Sequence, residues 1–291
     1  MKIIDTTTYF EEDLMMDLRF NILDPFIDKF IVCEARFSHS GKKKEIKFDK
    51  KNFFKFEDKI IHAIIDNEPA NLIIKNNLSN SEIRMNSILR IQHQRNFISN
   101  FIDQFSPEDY LIHSDNDEIP NLEAYNLKNN KKKFVIFKQK MFYYKFNLKY
   151  TSKPWFGSKA CKKKYLILPQ WLRDTKERKY PLWRIDILFS KMKYNSIHYV
   201  ENGGWHFVNL KSPEDIEKKL NNFGHHLEYK ESGLNLSDIR KMVNSGKAIY
   251  DYHADMRKSK WSGNEQLIKT DISELPIYIK ENIKKYSNWI V

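Results

Sequence analysis

Asp115 and Asp117 stand two residues apart in the stretch Ser114-Asp115-Asn116-Asp117-Glu118-Ile119-Pro120, directly after the apolar run Tyr110-Leu111-Ile112. Carboxylates at i and i+2 at the exit of a buried strand can converge on one hard divalent cation, and Glu118 adds a third charge that orients a ligand or caps the next helix. Oxygen-rich, water-retaining sites of this kind suit Mg²⁺ or Mn²⁺ bound to a substrate diphosphate. An ion held there would neutralise charge developing on a departing nucleoside diphosphate. Asp-X-Asp alone recurs by chance in charged proteins. Its place at the end of an apolar strand is what points to a nucleotide-sugar transferase.

The elements that must position this motif are legible in the hydrophobic pattern. Lys2 to Ile4 is a short first strand. Leu14, Leu18, Ile22 and Leu23 recur at helical spacing, which predicts a helix over Glu11 to Leu23 that stops before Pro25. Phe30-Ile31-Val32-Cys33 is a continuous apolar run of the kind parallel strands covered on both faces display. Lys59 to Ile65 is a third strand, and Ser81 caps a long helix from Glu82 to about Phe105. Tyr110 to His113 is the fourth strand and delivers the acidic motif. This α/β order predicts a mainly parallel sheet, in which ligands bind beyond the carboxyl ends of the strands. Further on, Phe134 to Phe146, Tyr165 to Leu168 and Ile185 to Phe189 are expected as strands. Helices are expected at 213 to 222, behind Ser212 and Pro213, at Leu236 to Val243 and at Leu275 to Tyr286.

Composition narrows the class. The 291 residues, 41% of them hydrophobic, suffice for one large domain, and no Gly/Ser/Pro-rich linker divides them. Residues 1–291 are therefore read as a single unit, with a nucleotide half over 1–120 and an acceptor half over 121–291. The formal charge of +12 has no helix-turn-helix, RNP or zinc-knuckle pattern beside it, so nucleic acid is not expected as partner. Solvated lysine faces, or attraction to an anionic membrane surface or substrate, account for the charge. Cys33 and Cys161 are too few for a disulfide framework or a zinc site. No apolar run of spanning length is present, and a cytoplasmic protein, peripheral at a membrane at most, is expected.

Several segments together resemble the glycosyltransferase family of β-1,4-mannosyl-glycoprotein 4-β-N-acetylglucosaminyltransferase. They begin with Asp13-Leu14, the run Arg19 to Pro25 and the run Asp28 to Glu34, followed by Phe37-Ser38-His39-Ser40-Gly41-Lys42 and Gln94-Arg95-Asn96. The acidic motif comes next, then Gly203-Gly204-Trp205-His206-Phe207 and the stretch from Ser212 to Asp251. The matches are colinear over about residues 5 to 252. The resemblance implies a GT-A type fold, a UDP-sugar donor with UDP-N-acetylglucosamine favoured, a Mn²⁺ or Mg²⁺ ion and inversion at the anomeric carbon. The membrane anchor and stem of the family's Golgi members are not found in this sequence, so a glycan or lipid-linked hydroxyl replaces mature N-glycans as the expected acceptor.

Individual residues then take roles, each beside a plainer one. Asp115 and Asp117 would hold the metal, with Asn116 beside the donor. His206 follows two glycines that allow close backbone approach. It is the candidate nitrogen ligand, since GT-A enzymes commonly present a late histidine to the metal; the alternative is a core histidine beside Trp205. His225 and His226 are further candidates at a helix end. Glu34, at the exit of the second strand, could bind uracil or ribose, with Arg36 as a further donor-binding candidate, or the two could simply pair with each other. Arg95 and Asn96 lie late in the long helix, and the forked donors of Arg95 suit donor phosphates. Inversion needs a general base, for which Glu201, Asp186 and Asp174 are candidates. Trp155, Trp171 and Trp183 offer stacking faces for an acceptor sugar or ordinary packing. The rival class is a non-catalytic basic module that binds glycan or lipid. The absence of a Gly-x-x-x-x-Gly-Lys-Ser/Thr loop argues against a nucleotidyl- or phosphotransferase.

Overall fold

The computed structural model describes residues 1–181, 183–187, 189–252, 260, 261, 263 and 265–291. Strand β1 (Ile3–Thr8) runs into helix α1 (Asp13–Leu23), β2 (Lys29–Ala35), β3 (Ile60–Ile65), helix α2 (Asn80–Phe97) and β4 (Tyr110–His113). These strands pair in parallel in the order β3-β2-β1-β4. The apolar run of β2 is buried on both faces, which is why it does not alternate with polar residues. On one face, Phe20 and its neighbours on α1 pack with Phe30, Val32 and Ile112. On the other, Ile98, Ile102 and Phe105 beyond α2 cover Ile31, Cys33 and Leu111.

The cap of α2 lies earlier than expected. Ser79, not Ser81, accepts from the Glu82 N–H, and the Glu82 carboxylate reaches back to the Ser79 N–H. That reciprocal pair satisfies two of the orphan donors of the first turn. The α-helical run stops at Phe97 and continues as a 3₁₀ turn over Ile98–Phe101.

The remaining strands are β5 (Glu118–Pro120), β6 (Phe134–Tyr143), β7 (Leu148–Lys162), β8 (Ile197–Val200), β9 (Gly204–Val208) and β10 (Ile268–Lys269). Helices α3 (Pro169–Asp174), α4 (Pro213–Leu220), α5 (His226–Ser232), α6 (Leu236–Ser245) and α7 (Ile277–Glu281) complete the order. β7 pairs antiparallel with β4 and β6, and β6 carries β9 in parallel on its other side. The sheet therefore continues β4-β7-β6-β9-β5 and contains all ten strands. It is a mixed sheet whose parallel part is flanked by helices. A second apolar cluster, with Tyr143, Val208, Ile216 and Ile239, fills the space under α4 and α6.

Two expected strands do not form. Lys163–Tyr165 and Ile185–Ile187 are 3₁₀ turns, and Leu188 lies outside the described residues. Both segments are apolar yet largely exposed, so the residue types that suggested buried strands serve at the surface instead. The expected helix over Leu275 to Tyr286 is confined to α7. Among the described residues no helix is long and apolar enough to cross a membrane.

Candidate active site

The carboxyl ends of β1 and β4 meet the amino end of α1, and the acidic motif crosses between them. Arg19 on α1 holds this junction from below. Its guanidinium forks onto Asp5 of β1 at 2.6 Å, fully buried, and donates to the Glu118 carbonyl at 2.7 Å. Asp115 and Asp117 are thus mounted on a braced turn, with the Glu118 N–H donating to the Asp115 carbonyl.

The two aspartates face different partners. Asp115 receives Arg95 at 2.6 Å on one oxygen and Arg173 at 3.0 Å on the other. Arg173, from α3, also grips the fully buried Glu118 at 2.6 Å, and Trp155 Nε1 donates to Glu118 at 2.8 Å. The Arg173 backbone is fixed in turn by the buried Lys159 amine, which donates to the Arg173 and Thr175 carbonyls. Burial opposes ionisation of Asp115, but the two guanidinium groups outweigh it and hold the carboxyl well below the usual range. Asp117 has looser company: Lys219 Nζ at 3.3 Å and His206 Nε2 at 3.4 Å. Burial again opposes ionisation, and Lys219 with His206 overcomes it.

His206 is buried, stacks on Trp155 with ring centroids 4.6 Å apart, and has no hydrogen-bond partner at Nδ1. Its place follows from the two glycines before it. A Cβ on Gly204 would lie 2.1 Å from the Ile119 carbonyl oxygen, and one on Gly203 would lie 2.6 Å from that of Val200. Only glycine lets β9 approach β5 this closely, and the resulting register sets His206 opposite Glu118.

Asp117 and Lys219 border three adjoining cavities of about 530, 270 and 330 Å³. The 270 Å³ cavity is also lined by Tyr9, His39, Gln94, Arg95 and Asp115, over the ends of the parallel strands. The 330 Å³ cavity is aromatic, with Tyr143, Trp155, Tyr250, Tyr252 and His206. The 530 Å³ cavity holds Glu12, Lys211 and Lys218. Glu12 lines both this cavity and the 270 Å³ one. One of its oxygens accepts from Asn116 and the Phe10 N–H, while Oε1 is buried with no hydrogen bond. Burial raises its pKa against the pull of Lys211 and Lys219.

Other expected residues lie elsewhere. Glu34 is buried and gives its oxygens to Lys44 and to the Lys47 and Phe48 N–H groups, organising the loop after β2. Arg36 pairs with Asp66 at the surface, not with Glu34. Asn96 accepts from the Gln170 N–H and so anchors α3. Glu201 pairs with Lys138, Asp186 with Arg184 and Lys193, and Asp174 accepts from Gln170; all three are outside the cavities around Asp117. His225 does line two of the cavities, ion-paired with Glu228, whereas His226 Nδ1 donates to the Phe223 carbonyl. Trp171 packs against Phe134 and Tyr194, and Trp183 is exposed. Arg173 and Glu12 are not among the residues that the sequence points to, and Arg19 and Lys219 enter there only through the resemblance, without a role. In a chain with 50 lysines and arginines no spacing separates Arg173 or Lys219 from their neighbours. Arg19 carried one signal, a charge inside the apolar stripe of α1.

Paired carboxylates and guanidinium groups thus line a cleft at the carboxyl ends of the parallel strands. The chain belongs to glycosyltransferase family 17, whose model matches residues 1–290. The expectation drawn from the colinear motifs is thereby met. No curated protein matches the chain. Among solved structures, HddC from Yersinia pseudotuberculosis aligns at 10% identity and a TM-score of 0.32, over 68% of this chain and 90% of its own. The same protein complexed with GMP-PN aligns at a TM-score of 0.28. Likeness at this level carries no weight for fold or ligand.

Proposed function

We propose that this family 17 glycosyltransferase moves a sugar, N-acetylglucosamine foremost, from a UDP-sugar to a glycan or lipid-linked hydroxyl, with inversion and with Mn²⁺ or Mg²⁺, on a GT-A type fold. The observation that carries the reading is Asp117. It is a buried carboxylate at the meeting point of three cavities, two residues from an arginine-bound Asp115. The parallel order β3-β2-β1-β4 followed by antiparallel β7 supports the fold assignment.

The donor set suits a shared ion. Asp117 Oδ1 and His206 Nε2 are 3.4 Å apart, close enough to occupy adjacent positions on one cation. Among the described residues no cluster of three or more His, Cys, Asp or Glu side chains forms a complete cage. One carboxylate and one imidazole, with phosphate oxygens and water completing the shell, is how Mg²⁺ is usually held at phosphate substrates. When bound, the ion would stabilise negative charge on the leaving diphosphate.

The chain's own groups would do the rest. Arg95 and Lys219 face the same space and can bind diphosphate oxygens. Tyr9, His39 and Gln94 line a cavity suited to the nucleoside. Trp155 and Tyr252 offer faces to a sugar. Glu12, with an oxygen free of hydrogen bonds and an elevated pKa, is the carboxylate best suited to take the acceptor proton. Solvent-exposed and outside the cavities around Asp117, Glu201 and Asp186 suit that role less.

A UDP-release assay tests the proposal. With UDP-N-acetylglucosamine and Mn²⁺ the wild type should release UDP, EDTA should stop it, and Glu12→Gln should slow it most at the pH where wild type is fastest. UDP release undiminished by EDTA would refute the metal; no release from any UDP-sugar would refute the donor.

A further inference from the structure

Among the described residues, seven of the sixteen large hydrophobic side chains exposed to solvent lie between Tyr165 and Met192, a short part of the chain. Trp183 is 78% exposed, Ile185 69% and Phe189 84%, and Ile167 and Leu168 are exposed as well. Isolated apolar side chains on a surface need no explanation, but such a concentration does. The segment is pinned at both ends. The Lys176 N–H donates to the Met192 carbonyl at 2.8 Å, and Trp171 Nε1 donates to the Lys191 carbonyl at 2.6 Å. Lys133 lies over both the Tyr165 ring and the Tyr194 ring, at 5.3 and 4.9 Å, so the turn after β7 and the base of this loop form one surface.

The charge around it is predominantly positive. Between residues 176 and 193 stand Lys176, Arg178, Lys179, Arg184, Lys191 and Lys193 against Glu177 and Asp186. Asp186 is occupied by Arg184 and Lys193, and Glu177 faces Lys159. Among the described residues Lys176, Arg178, Lys179 and Lys191 have no carboxylate partner. A protein partner would call for a flatter apolar face with alternating charge. Nucleic acid would have no use for the aliphatic tip at Ile185.

We infer that this strip docks onto an anionic lipid bilayer, with Trp183, Ile185 and Phe189 entering the interface and the basic side chains lying on the headgroups. The strip is continuous with α3, which carries Arg173 to Asp115 and Glu118. Docking would hold the protein at the membrane, and the acceptor that suits such a protein is a hydroxyl presented there, on a lipid-linked sugar. That last step rests on the transferase reading; docking itself does not.

The test is co-sedimentation of the full chain with vesicles of phosphatidylcholine alone and of phosphatidylcholine with phosphatidylglycerol. Wild type should bind only the anionic vesicles, and raised salt should weaken binding. Each basic side chain near the surface strengthens partitioning roughly fivefold, so Arg178→Glu with Lys179→Glu should lower it by well over tenfold. Ile185→Ser with Phe189→Ser should also lose binding while leaving UDP release in vesicle-free solution unchanged, which reads the transferase proposal separately. Equal behaviour on the two vesicle types, or full binding by the serine variant, overturns the inference. If vesicles bind as expected but a lipid-linked acceptor is used no better than its soluble head group, the acceptor assignment falls and docking stands.

Discussion

The two sides of the acidic turn are built on different terms. Around Asp115 and Glu118 the contacts are short and forked: Arg95 at 2.6 Å, Arg173 at 3.0 and 2.6 Å, Trp155 at 2.8 Å. Around Asp117 they are 3.3 and 3.4 Å, at or beyond the limit of a good hydrogen bond. Charge on the first side is satisfied by the protein. On the second it is only partly satisfied, and Asp117 borders all three cavities. Two carboxylates of one short motif thus differ: Asp115 is held by two guanidinium groups, and Asp117, with looser partners, is the one that the proposed function leaves for a ligand.

Removing Asp117 gives the largest expected effect. Asp117→Asn should lower UDP release on the order of 10³-fold, the scale of losing one major electrostatic contact in a transition state, while thermal melting of the ligand-free protein barely moves. A melting point lowered as much as that of an Arg173 variant would erase the distinction between the sides. Arg173→Ala should act the other way, chiefly on stability. It strands Glu118, which is wholly buried, and removing one partner of a buried ion pair costs about 3–5 kcal/mol. Urea unfolding measures this, and Arg173→Lys should recover only part, because a single ammonium cannot fork onto both carboxylates.

Acid should sharpen the comparison. Burial pushes His39 down to about 4, so the folded state resists protonating it and stability declines as pH falls from about 6.5, the ordinary histidine value, towards 4. Glu34 is held at about 2: its burial opposes ionisation, but His62, Lys44 and backbone donors outweigh it. Its contribution is present above the ordinary glutamate value and is lost as pH falls from there towards 2. Unfolding at a series of pH values should show both declines, and His39→Gln should flatten the upper one alone. The smallest effect is expected from Arg95→Ala. Asp115 keeps Arg173, so stability should change by only about 1 kcal/mol, whereas the KM for the UDP-sugar rises severalfold.

Much of the parallel half was legible because each of its elements carries its own pattern. The apolar run of β2, the spacing on α1 and the strand before Asp115 are local signals, and the structure keeps all of them. The other half is set by pairing across the sheet. β7 contains Pro154 and Gly157, residues that argue against a strand. Pro154 falls where the β6–β7 register slips between Gln139 and Met141, and Gly157 admits the Gln139 side chain. Apolar segments at 165–168 and 185–189 suggested strands because sequence does not say which apolar residues remain outside. In the site, Asp115 and Asp117 are named by motif and strand position, His206 and Arg95 with the help of the resemblance, and the structure brings Arg95 to Asp115 and His206 to Asp117. Glu201 is a candidate by its place just before the double glycine and Asp186 as a carboxylate of the acceptor half, and folding leaves both outside the cavities around Asp117. Arg173 and Lys219 reach the site from distant helices that no local pattern connects to it.

The glycine pair before His206 has a consequence for how this protein can vary. Along β9, Trp205 and Phe207 point into the core beneath the sheet, and His206 points out of it to the cavities. Loss or gain of one residue in the short turn after Val200 would reverse that alternation, sending the imidazole into the apolar layer and an aromatic ring towards Asp117. Lineages of this protein should therefore tolerate many substitutions around the turn yet keep its length fixed, so that indels there, more than point changes, mark descendants that have given up the chemistry.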